Sequence, residues 1–408
     1  MKHVPMRSAF CLVLACAAPA AMAQKPAKPP AEHEFKLAKP VRAAVADAQK
    51  AIKAGDLATA TAKLAEADAA VASPDDSYVI ASARYELATA QKDMPARQKA
   101  LEVMLDSGLV PPASLTNYSL AAGQLAYNNK DMAKAAQFLG QATAGGVTDA
   151  NAFAMLMEAY IALNKPAEAV ATLEKAIALQ PPGSTAIPAD WYGRAIGAAY
   201  NAKLAPETER ITRARVAAYP SPTNWRDALI SYRDLNQLDP QAELDVMRLL
   251  RVAKGLKGGR DYLDVIEPTA QKFPGEARSA LDEGLASGAL QSSSATVKEL
   301  DTTIKARFAG DRASLPSSAA SAKTANGGML ALGTADAYFG YGDYAPAIEL
   351  YHLALAKGGV DANVVNTRLG ASLALSGQAD EAKKTFAAVT GPRAGLAKYW
   401  LVWVGQPK

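Results

Sequence analysis

The chain repeats its pattern of small and large residues at an interval of 34 positions, and this repeat limits its fold more than any other feature. Residues 117–145 align with residues 151–179, which pairs Ala135 with Ala169, Leu139 with Leu173 and Ala142 with Ala176. Internal periods of about 20–50 residues are typical of repeat proteins. Two helices approach closely only where small residues face the partner, while large residues fill the space beside each contact. The pattern therefore predicts stacked pairs of helices.

The pattern resembles the tetratricopeptide repeat (TPR), in which Trp-x2-Leu-Gly-x2-Tyr is followed by Ala-x3-Phe-x2-Ala and then Pro. The stretch that begins at Ala150 fills these places with Phe153, Leu156, Tyr160, Ala169, Leu173, Ala176 and Pro181. Met157 departs from the pattern, which has a small residue after the leucine. The resemblance implies an all-α fold, a TPR-like α-solenoid of stacked antiparallel helix pairs with an extended concave surface.

Two further copies of the pattern lie near the C-terminus. One contains Tyr338, Gly342, Tyr344, Ala347, Tyr351 and Ala354, and the next contains Leu369, Gly370, Leu373, Gly377, Ala382 and Phe386. Near the start of the chain, the second half of another copy is found in Gly55, Leu57, Ala60, Leu64 and Ala67. The copies thus span both ends of the chain, although between residues 192 and 328 the intervals drift from 34. Helical periodicity persists there, so we expect helical pairs of degenerate type.

We expect five segments along the chain. They are a signal peptide at 1–23, a Lys/Pro-rich tether at 24–40, an N-terminal TPR-like helical array at 41–220, degenerate helical pairs and a linker at 221–327, and C-terminal TPR repeats with a terminal cap at 328–408. The sequence leaves residues 292–326 open between a long helix and a mobile linker. The apolar and aromatic run at 396–404 fits a helix that caps the last repeat, with a contact to a partner or membrane as the alternative.

The N-terminus has the pattern of a secretory signal peptide. Lys2 and Arg7 precede an apolar run, and a small-x-small tripeptide ends at Ala23, which predicts cleavage there and a periplasmic protein. Both cysteines, Cys11 and Cys16, lie within this leader, so the mature chain can form no disulfide. The residues before Cys16 also resemble a bacterial lipoprotein box, which leaves a lipid-anchored protein as an alternative.

The charge balance argues against bulk binding of nucleic acid. The formal net charge is +4, and removal of Lys2 and Arg7 with the leader lowers it to +2 (4 − 2), whereas nucleic-acid binding usually needs a strong basic excess. After the leader, no apolar run approaches the roughly 18 residues that a transmembrane helix needs.

The sequence offers little for catalysis, and we expect no enzyme, no cofactor and no metal site. Only His33 and His352 follow the predicted leader, and no Gly-x-Ser-x-Gly, Walker-type loop or His-Glu-x-x-His motif is found. His352 has tyrosines and carboxylates as sequence neighbours, but in repeat register it aligns with Gly140, Glu174 and Ala387, as expected of a solvent-facing position. Tyr351 aligns with Leu139, Leu173 and Phe386, as expected of a packing position. A hydrolase that uses a pair of carboxylates stays open, because acidic residues are spread along the chain.

The resemblance implies instead that partners bind on the concave face, which the first helix of each repeat provides. At the corresponding positions the chain has Asn117, Gln124, Tyr127, Asn128, Asn151, Glu158, Ile161, Asp336, Phe339 and Thr367. Asparagine and glutamine both donate and accept hydrogen bonds, which suits the backbone of an extended peptide. Leu120 and Gln124 occupy the places where some family members have the lysine and asparagine that clamp a partner's C-terminal carboxylates, so that binding mode is not supported. We therefore expect a non-enzymatic scaffold or adaptor for proteins or peptides of the bacterial cell envelope, of unknown oligomeric state.

Overall fold

A computed structural model of the protein describes residues 33–181 and 186–407. In this part of the chain there are twenty α-helices, one short 3-10 helix (η1) and no strand. The first ten helices are α1 (Lys39–Ala54), α2 (Leu57–Ala69), α3 (Pro74–Gln91), α4 (Met94–Asp106), α5 (Pro112–Asn128), α6 (Met132–Ala144), α7 (Ala150–Ala162), α8 (Pro166–Ala178), α9 (Ala189–Asn201) and α10 (Ala205–Ala218). The others are α11 (Pro222–Leu235), α12 (Pro240–Val252), α13 (Gly259–Thr269), α14 (Pro274–Ala286), α15 (Ala295–Thr324), α16 (Met329–Gly340), α17 (Tyr344–Lys357), α18 (Ala362–Leu375), α19 (Ala379–Ala387), η1 (Gly391–Arg393) and α20 (Ala394–Gly405). The predicted signal peptide, its cleavage site, Cys16 and most of the predicted tether lie outside the described residues.

The turns inside seven of the helix pairs share a backbone geometry. Asp131 accepts a hydrogen bond from the amide of Lys134 and so begins α6, and Asp56 and Asp93 begin α2 and α4 in the same way. The turn before the second helix of each of these pairs contains one residue of positive φ, and these residues are Gly55, Lys92, Lys130, Asn164, Lys203, Gly342 and Gly377. Non-glycine residues seldom adopt this conformation, so its recurrence indicates that helix packing imposes it.

Neighbouring helices pack in pairs, which confirms the predicted all-α, TPR-like solenoid. A Cβ atom on Gly123 would lie 2.6 Å from the side chain of Leu139, and one on Gly370 would lie 2.6 Å from Phe386. The small residue of the repeat pattern therefore lets the two helices of a pair come together. In α7 the corresponding residue is the larger Met157, which is fully buried.

Helices of successive pairs also pack on one another, and the row that does so changes along the chain. In the N-terminal part these are mainly odd-numbered helices, α1 with α3, α5 with α7, and α7 with α9, and α8 also packs on α10. In the C-terminal part they are mainly even-numbered helices, α14 with α16, α16 with α18, and α18 with α20, and α15 also packs on α17. The change occurs near α10, which packs against both α9 and α11. We call α1–α9 the arm and α10–α20 the ring.

The ring is closed by its last helix. Helix α20 packs on α19 and α18 and also on α10, which lies nearly two hundred residues earlier in the chain. The side chain of Gln406 donates to the carbonyl oxygen of Val216 at 2.8 Å and accepts from the indole N–H of Trp225 at 3.2 Å. The hydroxyl groups of Tyr399 and Thr212 lie 2.7 Å apart. The terminal apolar run thus caps the last repeat, as the sequence favoured, and in addition joins the two ends of the ring.

Residues 292–326, which the sequence left open, contain one long helix. Helix α15 has 30 residues and continues through Pro316. It buries Val297, Ile304, Leu315 and Ala322 and packs between α14 and α16. The linker alternative is therefore wrong for this segment, since tertiary packing outweighs the cost of a proline inside the helix.

The end of the predicted tether is bound to the arm. Helix α1 already begins at Lys39, and the extended residues before it lie against α3. Phe35 stacks on Tyr78 with ring centroids 4.8 Å apart, and Asp75 accepts from the amide of Lys36 at 2.7 Å. Residues 33–40 are therefore part of the fold, in contrast to the prediction of an extended tether up to residue 40. The other predicted boundaries, at residues 220 and 327, were drawn from the quality of the repeats and stay predictions.

Candidate partner-binding surfaces

A row of hydrogen-bonding side chains runs across the odd-numbered helices of the arm. Gln49 on α1 donates to Glu86 on α3 at 3.5 Å, and Arg194 on α9 lies 2.7 Å from the carboxylate of Glu158 on α7. Gln124 on α5 occupies the place 34 residues before Glu158, on a helix that packs against α7. The row therefore brings the predicted residues Gln124 and Glu158 onto one face, together with three polar residues that the sequence had not indicated.

A second row on these helices is aromatic and aliphatic. Tyr127 and Ile161 lie one turn beyond Gln124 and Glu158 on α5 and α7, and Tyr200 lies six residues beyond Arg194 on α9. All three are half-buried. The hydroxyl of Tyr200 donates to Asp234 at 3.3 Å, and the ammonium group of Lys203 lies 4.9 Å from its ring centroid. The negative charge of Asp234 raises the pKa of Tyr200, so this hydroxyl keeps its proton at neutral pH. The row offers apolar surface beside the polar side chains.

The predicted asparagines of the arm are exposed. Asn117 and Asn151 lie near the start of α5 and α7, and Asn128 is the last residue of α5. Their amide groups are available to solvent, and each can donate and accept hydrogen bonds. The other four predicted residues of the arm, Gln124, Tyr127, Glu158 and Ile161, are half-buried, and the assignment of all seven to a binding groove stays a prediction.

The three predicted residues of the ring are buried, so the prediction that they line an open groove is wrong. Asp336 is 4% exposed and accepts hydrogen bonds from Tyr351 and Arg368, and Thr367 is 1% exposed. Phe339 is 9% exposed and has the guanidinium group of Arg248 over its ring at 5.1 Å. The physical reason is ring closure, which turns the inner face of the C-terminal repeats into an interior.

Three arginines converge on one carboxylate inside the ring. Asp245 on α12 accepts from Arg248 Nη1 at 2.7 Å and from Arg368 Nε on α18 at 3.2 Å, both at Oδ1. Its Oδ2 accepts from Arg393 in η1. Asp245 is 3% exposed. One side chain therefore ties together three segments that are up to 148 residues apart in sequence.

Two more carboxylates complete this central network. Arg248 donates to Glu276 on α14 at 2.7 Å and 2.6 Å, and Arg368 donates to Asp336 on α16 at 2.7 Å. The six members of the network are Asp245, Arg248, Glu276, Asp336, Arg368 and Arg393, all buried. Three positive groups face three negative groups, so the network has no formal net charge when all six are ionised.

The carboxylates of the network differ in protonation equilibrium. Burial opposes ionisation of Asp245, but Arg368, Arg248 and Arg393 together hold its pKa below the usual range. Burial dominates at Asp336 and raises its pKa, although Arg368 and Arg248 oppose this shift. The ionised form of Asp245 is therefore the better stabilised of the two, as its three arginine partners suggest.

The sequence contains a signal for this network in the charged residues of α12 and α18. Asp245 and Arg248 lie three residues apart in an otherwise apolar stretch of α12, and Arg368 lies in α18 among residues that are otherwise apolar or small. Charged residues on a buried helix face are rare unless they are paired. The partners, however, come from distant repeats, and without the ring closure they could not be matched.

The described residues contain two notable clefts. One, of about 440 Å³, lies between α2 and α4 with Ile80 and Leu87 of α3 among its lining residues, and Val71 and Val103 are exposed at its sides. The other, of about 520 Å³, lies between α12, α14 and the turn from α16 to α17, and we call it the ring cleft. Its walls combine aromatic rings with arginine and lysine side chains.

His352 is exposed on α17 and Tyr351 beside it is fully buried, which confirms both register assignments. His33 lies 2.8 Å from Asp75, at the start of the arm and far in sequence from His352. Over residues 33–181 and 186–407 there is no group of three or more His, Cys, Asp or Glu side chains that could hold a metal ion. In the same residues no helix is long and apolar enough to cross a membrane.

No protein-family model matches the chain, and no curated protein matches it. A tetratricopeptide repeat protein from Parabacteroides merdae ATCC 43184 is similar over 82% of this chain and 100% of that chain, at 11% identity and a TM-score of 0.27. The structure of Naa15/Naa10 bound to HypK-THB is similar over 87% of this chain and 70% of that chain, at 13% identity and a TM-score of 0.25.

The helix pairs themselves define the class of the protein. The repeated turn geometry, the close contacts at Gly123 and Gly370 and the stacking of successive pairs make it a TPR-like α-solenoid. Solenoids of this kind expose extended surfaces that generally serve as scaffolds for protein interaction.

Proposed function

We propose that the protein is a non-enzymatic adaptor of the bacterial cell envelope that binds an extended peptide segment of a partner on the arm. The binding surface is the face of the odd-numbered helices that carries Gln124 and Glu158, which we call the odd-helix face. The observation that carries the proposal is the contrast between the two halves. The inner face of the ring is filled by buried side chains, whereas the odd-helix face of the arm exposes amide and carboxylate groups next to a half-buried apolar row.

The spacing of the two rows suits an extended peptide. Packed helices lie about 8–10 Å apart, and an extended chain advances about 10 Å in three residues. A peptide that crosses the helices would therefore meet Gln124 and Glu158 about three residues apart. Its backbone groups can pair with these side chains, while one apolar side chain reaches Tyr127 or Ile161.

The envelope location rests on the sequence of the leader. A basic start, an apolar run and a small-x-small site before Gln24 support export, and the chain after that site lacks cysteine, which is compatible with an oxidising compartment. Two alternatives have distinct outcomes in the tests below, namely a lipid anchor at Cys16 and a periplasmic hydrolase.

Crosslinking in intact cells tests the adaptor function. We expect crosslinked partners of the unmodified protein to be lost from the combined variant Gln124→Ala, Asn128→Ala and Glu158→Ala. The matched control is Gln137→Ala with Lys175→Ala, which changes exposed residues on α6 and α8 of the same two repeats. An unchanged partner list for the first variant, or an equal loss for the control, would contradict a binding site on the odd-helix face.

Two further measurements decide between the alternatives. The intact mass of the exported protein is expected to correspond to a chain that begins at Gln24 without lipid, whereas a lipid-modified chain that begins at Cys16 would establish the anchored form. A screen with ester, peptide and glycoside substrates is expected to show no turnover. Activity that a single carboxylate substitution abolishes would refute the non-enzymatic adaptor.

A further inference from the structure

The ring cleft has the dimensions and lining of a site for a small molecule. Its volume of about 520 Å³ falls within the range of roughly 300–1,000 Å³ that is usual for ligand pockets. Phe308, Phe339, Tyr341 and Tyr344 contribute aromatic surface to it. The cleft is distinct from the arm face of the proposed function and lies on the other half of the molecule.

The floor of the cleft is held in one arrangement. Gly275 and Gly340 allow the start of α14 to lie directly against the end of α16, since a Cβ atom on Gly275 would meet the ring of Tyr341 at 2.6 Å. The hydroxyl of Tyr341 donates to Asp311 at 2.8 Å, and the ring of Phe339 is covered on one side by Arg248. The aromatic surface is therefore in place before any ligand arrives, which lowers the entropic cost of binding.

The charges of the cleft favour an anion. Four cationic side chains line it, and they are Arg248, Arg251, Lys254 and Arg278. Three of them are paired with carboxylates, Arg248 with Glu276, Arg251 with Glu283, and Arg278 with Asp282 and Asp301. Lys254 has no carboxylate partner among the described residues, so an anion beside it would balance its charge.

Three hydrogen-bond donors of the cleft have no partner among the described residues. Arg251 uses Nε for Glu283 at 2.7 Å and Nη2 for Ser279 at 2.7 Å, which leaves Nη1 free. Lys254 and the hydroxyl of Tyr344 likewise have no hydrogen-bond partner in the described part of the chain. Burial raises the pKa of Tyr344, so its hydroxyl remains a donor at neutral pH.

We propose that the ring cleft binds a small organic carboxylate with an apolar or aromatic body. The carboxylate accepts hydrogen bonds from Arg251, Tyr344 and Lys254, a charge-assisted arrangement. The apolar body lies on the half-buried aromatic rings of Phe308 and Tyr344. An organic carboxylate fits better than inorganic phosphate because its body covers the aromatic walls of the cleft.

The test is a titration of the full mature chain with 3-phenylpropionate, followed by NMR of labelled methyl groups. Val252 and Leu375 line the cleft, so their signals are expected to shift, with a dissociation constant on the order of 0.1–1 mM for a ligand of this size. Val71 and Val103, which line the cleft between α2 and α4, are expected not to shift. Equal shifts at both clefts would show non-specific binding and overturn the proposal.

Two further ligands test the chemistry. The uncharged 3-phenylpropionamide is expected to bind about tenfold more weakly, because it lacks the charge that the cationic donors require. Inorganic phosphate is expected to leave Val252 and Leu375 unshifted at the same concentrations, because it has no apolar body. If the amide binds as tightly as the acid, or if phosphate binds better than the acid, the assignment is wrong.

Removal of one hydroxyl group distinguishes an effect on ligand binding from an effect on the fold. Tyr344→Phe removes an oxygen without a protein partner, so the variant is expected to keep its melting temperature and to bind 3-phenylpropionate about 3–10-fold more weakly. Tyr338→Phe, which removes a hydroxyl from the same helix pair outside the cleft, is the matched control and is expected to bind normally. Equal affinity of Tyr344→Phe and the unmodified protein would overturn the assignment of this donor and with it the proposed site.

Discussion

Asp245 is the side chain on which closure of the ring depends most, and Asp245→Asn is the substitution that tests this. Asparagine has nearly the same volume, so no cavity forms. One oxygen remains for Arg248 and Arg368, but an N–H donor can now face the donors of Arg393. The central network changes from three positive and three negative charges to an excess of one positive charge in the interior.

The cost follows from the burial of the network. Removal of one partner from a buried ion pair costs about 3–5 kcal/mol, because the other charge is left uncompensated. Asp245 is 3% exposed and Arg248, Arg368 and Arg393 are 5–6% exposed, so solvent cannot replace the lost carboxylate without opening the structure. For a cooperative unit of 150–250 residues, about 2–4 °C is lost per kcal/mol, which gives a melting temperature lower by about 6–20 °C.

Tryptophan fluorescence and hydrogen exchange together measure this effect. Three of the four tryptophans, Trp225, Trp400 and Trp403, lie in the ring and Trp191 lies in α9 of the arm, so fluorescence during urea unfolding follows mainly the ring. Hydrogen exchange is expected to accelerate in α10–α20 and to stay unchanged in α1–α8, because the lost contacts all lie in the ring. The control is Asp380→Asn on α19, whose side chain is 91% exposed and whose change is expected to stay within about 0.5 kcal/mol. If Asp245→Asn costs no more than this control, the network does not hold the ring closed.

Further predictions concern the other buried carboxylate, the helix contacts and pH. Asp336→Asn is expected to cost about 1–2 kcal/mol in urea unfolding, less than Asp245→Asn, because burial already disfavours the ionised form of Asp336. Gly123→Ala is expected to cost about 1–3 kcal/mol, because the new methyl group would meet the backbone nitrogen of Leu139 at 2.8 Å, whereas Gly193→Ala, with open space around it, is expected to stabilise α9 by about 0.5–1 kcal/mol in the same measurement. Stability is expected to fall below about pH 4, because Asp245 has a lower pKa in the folded chain than in the unfolded chain. Its ionised form therefore stabilises the fold at every pH above the unfolded pKa. This contribution is lost as the pH falls through the folded pKa. A free energy of unfolding as high at pH 3 as at pH 7 would contradict this assignment.

The sequence predicted what the repeat pattern determines locally. Small residues such as Gly370 had to face a partner helix, and Tyr351 had to be buried while its neighbour His352 was not. These assignments are confirmed because each depends on a contact within one repeat. The register of a helix pair is set by a few side chains, so it can be predicted from their spacing in the sequence alone.

The sequence could not predict what depends on how repeats are arranged over long distances. The placement of Asp336, Phe339 and Thr367 in a groove assumed an open solenoid, but curvature accumulates over several pairs and brings α20 back onto α10. The resulting contacts, such as that between Arg368 and Asp245, lie 123 residues apart, and no local pattern specifies them. Inner-face residues that would line a groove in an open array therefore lie in the interior of a closed one.

The ring is closed and the arm is open, and this difference gives the two halves different roles. In the ring, the inner-face positions that the repeat pattern would offer to a partner contact other residues of the same chain. The pairing of Asp336 with Arg368 and Tyr351 is an example. In the arm, Glu158 makes one contact with the largely exposed Arg194, and a partner can replace that contact at little cost because exposed ion pairs contribute only about 0–1 kcal/mol. A closed ring that stabilises itself and an arm whose polar face makes few internal contacts suit the proposed adaptor, since binding has to compete only with weak internal contacts. The test of this division is the double variant Glu158→Gln with Arg194→Gln, which is expected to leave stability unchanged within about 0.5 kcal/mol and yet to change partner capture.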